Sequence, residues 1–60
     1  SRIPAYLDTL GYGYYLLGQY DQAKEILEEA LAAVDGSTNP ESAVEIQLHL
    51  EMVYHALEGE

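Results

Sequence analysis

Leu7-Asp8-Thr9-Leu10-Gly11-Tyr12-Gly13-Tyr14, followed by Gly18-Gln19-Tyr20-Asp21-Gln22-Ala23-Lys24-Glu25-Ile26-Leu27-Glu28-Glu29-Ala30, decides how this chain is read. In the second stretch Ala23, Ile26, Leu27 and Ala30, continued by Leu31 and Val34, recur at steps of three and four, while Gln22, Lys24, Glu25, Glu28 and Glu29 fall on the other side. That pattern is an amphipathic helix with one buried face. In the first stretch Leu7, Leu10, Gly11, Tyr14 and Leu17 form one stripe, and Ala5, Tyr12, Tyr15 and Leu16 lie roughly opposite. Asp8 and Thr9 are its only clearly polar interior residues, so this helix is apolar nearly all round.

Working outward, each boundary carries a chemical signal. Pro4 suits a first helical position, where a missing N–H costs nothing, and Gly18 can take the left-handed conformation that closes a helix. Asp21 is placed to cap a second helix, and Gly36 follows its last apolar residue, Val34. Asn39 is an N-cap candidate, Pro40 fits the first turn behind it, and Glu41 adds negative charge near the positive helix end. The signals predict helices over about residues 4 to 17, 21 to 34 and 40 to 57. Connections of a few residues leave antiparallel neighbours as the natural arrangement, so the expected fold is all-α, a helical hairpin with a third helix laid alongside.

The third segment carries a strong stripe of Ala43, Ile46, Leu50, Val53, Tyr54 and Leu57 and a second one of Val44, Leu48, Met52 and Ala56, interrupted by Glu45 and His55. Three helices cannot bury both sides of both terminal helices. Some apolar surface is expected to remain for further repeats, a second copy or a ligand. The segment also echoes the first: Leu10 to Leu17 aligns with Leu50 to Leu57, with Leu, Tyr and Leu in register.

With these residues in view, Leu7, Leu10-Gly11 and Tyr14, then Gly18, Tyr20, Ala23, Leu27 and Ala30, resemble the tetratricopeptide repeat. The resemblance covers about residues 4 to 35 well and about 44 to 57 more loosely. Leu7 stands where the family often has Trp, Leu27 where it often has an aromatic residue, Asp35 where a proline is common, and Glu51 replaces glycine in the second copy. The stretch from Asp35 to Pro40 accommodates a spacing longer than the usual repeat. Physically, Gly11 removes a side chain so that two helices can approach, Ala23 and Ala30 do the same from the partner, and Tyr14 and Leu27 fill the space around them. The resemblance implies a fragment of a right-handed superhelix, one full repeat plus the first helix of a second. It also implies a concave face, lined by first helices, that holds a peptide or a partner's helix. On this chain that face corresponds to Ala5, Asp8, Tyr12 and Tyr15 with Glu45, Leu48, Met52 and His55.

Composition narrows the classes. Sixty residues make one domain, spanning 1–60, and its stability is expected to be thin. There is no cysteine, so no disulfide framework supports it. Eleven acidic residues stand against Arg2 and Lys24, a formal net charge of −9. Two isolated basic residues cannot make the patch that phosphate backbones need, and an anionic membrane would be repelled, so nucleic acid and membrane are not expected partners. A basic or neutral peptide or protein is favoured. Solubility alone is an equally direct account of the acidity.

His49 and His55 raise the question of a metal, since Glu45 and Glu51 each precede one of them by a helical turn. Six residues apart on a helix, the two imidazoles point in different directions, so a chelating set would need a second chain. They are expected to be surface histidines, with no metal and no cofactor. Catalysis has little to stand on: no Cys nucleophile, no Gly-rich phosphate loop ahead of a helix, no Ser set near a His. Asp8 and Glu45 are a chance carboxylate pair in so acidic a chain. No run of eighteen apolar residues exists. The opening Ser1-Arg2-Ile3-Pro4 lacks the features of a signal peptide and reads like a cut inside a longer chain, which favours a cytoplasmic setting. The expected role is therefore non-enzymatic, a protein-interaction scaffold. The alternatives are a self-associating helical unit, with helices exchanged through the linker at 35 to 40, and a non-catalytic subunit of an enzyme complex.

Overall fold

In a computed structural model describing residues 3–59, the chain forms three α-helices: α1 (Ile3–Leu16), α2 (Tyr20–Ala32) and α3 (Pro40–Glu58). Ser1, Arg2 and Glu60 lie outside the described residues, and with them the expected significance of the opening tetrapeptide and of Arg2 as one of two basic groups. Each helix packs on the other two, and the α1–α2 contact is the most extensive. The body is elongated, 36 × 15 × 15 Å.

The turn between α1 and α2 is fixed by Gly18. Its φ of 78° makes it the one left-handed residue among those described. The Gly18 N–H donates to Tyr15 O at 3.0 Å and the Gln19 N–H to Tyr14 O at 2.9 Å, the paired closure that satisfies two terminal carbonyls of α1. This closure delivers the chain into α2 a residue earlier than expected. Gln19, not Asp21, occupies the N-cap, and no side chain caps the helix; the Ala23 N–H instead donates to Gln19 O at 3.0 Å. Asp21 sits inside the first turn, where its charge still complements the positive end of α2.

The other end of α2 also differs from the expectation. The helix stops at Ala32 rather than at Val34, and Gly36 takes no left-handed conformation. The chain is turned by Asp35. Its Oδ1 accepts from the Ser37 N–H at 2.8 Å and the Ser37 hydroxyl at 2.7 Å, and its own N–H donates to Thr38 Oγ1 at 3.0 Å. A short carboxylate that offers the backbone these local bonds competes with helix continuation. The Ser37 hydroxyl, then the Ser37 N–H, hold the Asp35 carboxyl below its ordinary range. Val34, released from the helix, still packs against the core.

α3 opens as the sequence indicates. Asn39 is the N-cap, its Oδ1 accepting from the Glu41 N–H at 2.9 Å, with Pro40 in the first turn. Asn39→Ala should destabilise the protein by about 1 kcal/mol. A urea titration checks this, with Gln22→Ala, a change at an exposed position of α2, as the reference.

The core is built from Ala23, Leu27 and Ala30 of α2 and Ile46, Leu50 and Val53 of α3, with Leu7, Tyr14, Tyr15, Tyr20, Val34 and Leu57 packed against it. From α1 the buried residues are Pro4, Asp8 and Gly11. A Cβ added at Gly11 would stand 2.6 Å from Leu27 Cγ and 2.8 Å from its Cδ2. The missing side chain therefore lets α1 lie directly on the Leu27 ridge of α2. Apolar surface is left over, as the doubly apolar terminal helices imply. Leu10 and Leu16 stay open on α1, Leu17 in the turn that follows it, and Val44, Leu48 and Met52 on α3. Among the described residues no helix is long and apolar enough to cross a membrane.

Candidate functional site

Asp8 is the only carboxylate of α1, and it is 5% exposed. A carboxylate placed there needs a partner, since an unpaired buried charge is strongly unfavourable. The partner is His49 of α3, whose Nδ1 lies 2.7 Å from Asp8 Oδ1. A carboxylate only accepts, so Nδ1 carries the proton and donates, and the ring is oriented with Nε2 turned away from Asp8.

The imidazole is covered by an aromatic neighbour. The Tyr12 ring stacks on His49 with centroids 4.4 Å apart and planes 22° from parallel. Tyr15 follows one turn along α1, its centroid 6.0 Å from that of Tyr12, and Tyr20 at the start of α2 tilts against Tyr15 at 5.6 Å. The four rings, His49, Tyr12, Tyr15 and Tyr20, thus form one continuous run drawn from all three helices. Residues at i and i+3 share a helix face, which is why Tyr12 and Tyr15 can both join it. The tyrosines are half-buried, and each combines wide apolar area with a polar tip.

Of the residues expected on this face, Asp8, Tyr12 and Tyr15 are brought together, with Asp8 underneath as the support rather than as an exposed acceptor. Ala5 is exposed one turn before Thr9, whose hydroxyl donates to Ala5 O at 3.1 Å. On α3, Glu45 and Met52 are each one turn from His49 and run along the edge that carries it. Leu48 belongs elsewhere: it lines a separate groove with Leu31 and Val44, on the side between α2 and α3. His55 is exposed at the end of α3, its Nδ1 3.6 Å from Glu58 Oε2.

His49 and Tyr20 are the members that the pattern of the sequence did not single out. For His49, the expectation of a surface histidine is overturned. Its side chain is 20% exposed and tied to a carboxylate on another helix. The signal was present: His49 follows Ile46 by three residues and precedes Val53 by four, next to the core stripe, while Asp8 stood alone on an apolar helix in need of a donor. Among the described residues no group of three or more His, Asp or Glu side chains is arranged to hold a metal.

No family model, curated protein or solved structure matches the chain.

Proposed function

We propose that the chain is a protein-interaction scaffold of the tetratricopeptide-repeat kind, which receives a peptide or a segment of a partner protein along the tyrosine face of α1 and the adjoining edge of α3. The observation that carries this reading is the continuous run of His49, Tyr12, Tyr15 and Tyr20, held in place from below by the Asp8–His49 bond. Rings fixed by their neighbours lose little freedom when a ligand covers them, and tyrosine gives both contact area and hydrogen bonding. The net charge of −9 favours a partner that is basic or neutral. The reading is non-catalytic.

The test is selection of peptide ligands from a random library on the wild-type protein, followed by titration into Tyr12→Ala/Tyr15→Ala. Binding should weaken by about tenfold or more, the scale of losing aromatic anchors, in a variant whose helical content by circular dichroism matches wild type. Equal affinity for both proteins would remove the assignment.

A second reading, self-association, draws on the apolar residues left open on both terminal helices, Leu10 and Leu16 on one and Val44 and Leu48 on the other. Light scattering over a dilution series separates the two: a stable monomer at micromolar concentration counts against self-association.

A further inference from the structure

We infer a second docking surface, the groove between α2 and α3, which takes an amphipathic helix of another protein whose apolar stripe is flanked by lysine or arginine. The groove is lined by Leu31 of α2 and by Val44, Gln47, Leu48, Leu50, Glu51 and Tyr54 of α3. Leu50 forms its buried floor, and the other apolar members are large and open: Val44 is 56% exposed, Leu48 52%, Tyr54 40% and Leu31 39%. Val44, Leu48 and Glu51 follow steps of four and three along α3, and Gln47, Leu50 and Tyr54 follow steps of three and four beside them, so both rows run parallel to the helix axis. From Val44 to Tyr54 they extend about 15 Å, three turns. A trough of that length between two helices accepts a third helix of about ten residues lying along it.

Charge selects the occupant. Glu51 stands in the wall, and across the groove the Tyr54 hydroxyl donates to Glu28 Oε2 at 2.8 Å, which fixes an α2 carboxylate beside the opening. The same bond, together with burial, raises the Tyr54 phenol above its ordinary value. Lys24, one turn before Glu28, is the one Lys or Arg among the described residues, and none lines the groove. A helix with acidic flanks is repelled there, and a second copy of this chain brings its own charge of −9. A helix with basic flanks lays its stripe on Leu31, Val44 and Leu48 and its cations beside Glu28 and Glu51. This surface is separate from the tyrosine face and does not depend on that reading.

The experiment uses the full chain and two synthetic helical peptides of about fourteen residues that share one leucine stripe, flanked by lysines in one and by glutamates in the other. The lysine peptide should bind, at least about tenfold more tightly than the glutamate peptide at low ionic strength, and the preference should shrink as salt rises. Val44→Asp/Leu48→Asp should abolish binding; both side chains are more than half exposed, so the fold is retained, which circular dichroism checks. Glu28→Lys/Glu51→Lys should shift the preference toward the glutamate peptide. Tyr12→Ala/Tyr15→Ala should bind the lysine peptide as wild type does, which distinguishes this groove from the tyrosine face. Equal binding of the two peptides, full binding by the Val44→Asp/Leu48→Asp protein, or a self-associated chain from which the lysine peptide displaces no copy would each overturn the proposal.

Discussion

Gly11→Leu is expected to cost about 3 kcal/mol, enough to abolish cooperative unfolding in a chain of this size. The reason is a distance. A Cβ at this position already falls 2.6 Å from Leu27 Cγ, and that atom is a branch point of a fully buried side chain rather than a free end that can swing aside. Isobutyl bulk added there must separate α1 from α2 along their main contact, and Ala23 and Ala30 on either side of Leu27 lose their cover with it. Gly11→Ala should destabilise in the same direction, although alanine favours a helix interior over glycine by about 1 kcal/mol. Gly13 supplies the control. Nothing stands within 4 Å of a Cβ placed there, so Gly13→Ala should stabilise by up to about 1 kcal/mol through helix propensity alone. Thermal and urea melts of the three variants measure all of this, and a Gly11→Leu protein that melts with wild type would show that the helices do not meet at Leu27.

The second large effect is expected at His49. His49→Ala should cost about 3 kcal/mol, because it leaves the buried Asp8 carboxylate without its donor and uncovers one side of Tyr12. The sign of the combined change is the informative part. Asp8→Leu/His49→Leu removes both polar partners together, and should lose far less than the sum of the single changes, since a buried pair replaced by apolar groups is often close to neutral. A double-mutant cycle in urea reads the coupling directly. Additive losses would mean that the two side chains do not communicate and that the tyrosine run is not anchored from below.

These two positions also mark the boundary of what the amino-acid order reveals. The α1–α2 hairpin was legible because it is local: Gly18 supplies a turn that few other residues allow, and Gly11, Ala23, Leu27 and Ala30 state a close helix contact in the spacing of small and large residues. The start of α3 was legible for the same reason, since Asn39 and Pro40 act on neighbouring N–H groups. The ends of α2 were not. Both are set by competition among local hydrogen bonds, the Gly18 closure at one end and the Asp35 turn at the other, whose winner is not visible in residue type.

The face of α1 was legible as a stripe, but its partner stripe on α3 was not. Periodicity places Glu45, Leu48, Met52 and His55 within a sector of one helix, yet the rotation of that helix against α1 follows from how Ile46, Leu50 and Val53 seat on α2. That rotation turns His49 toward Asp8 and Leu48 toward Leu31. A rule of electrostatic necessity would have found His49: an isolated carboxylate on an apolar helix calls for a donor, and the chain has few to offer.

The arrangement of α3 on α1 is best tested by nuclear Overhauser spectroscopy on the intact chain. Cross-peaks should appear between the Tyr12 ring protons and the His49 imidazole protons, whose ring centroids lie 4.4 Å apart, alongside cross-peaks from the Gly11 α-protons to the Leu27 methyls. A spectrum with the Gly11–Leu27 peaks and no Tyr12–His49 peaks would leave the hairpin standing and contradict the seating of α3 on which the tyrosine face depends.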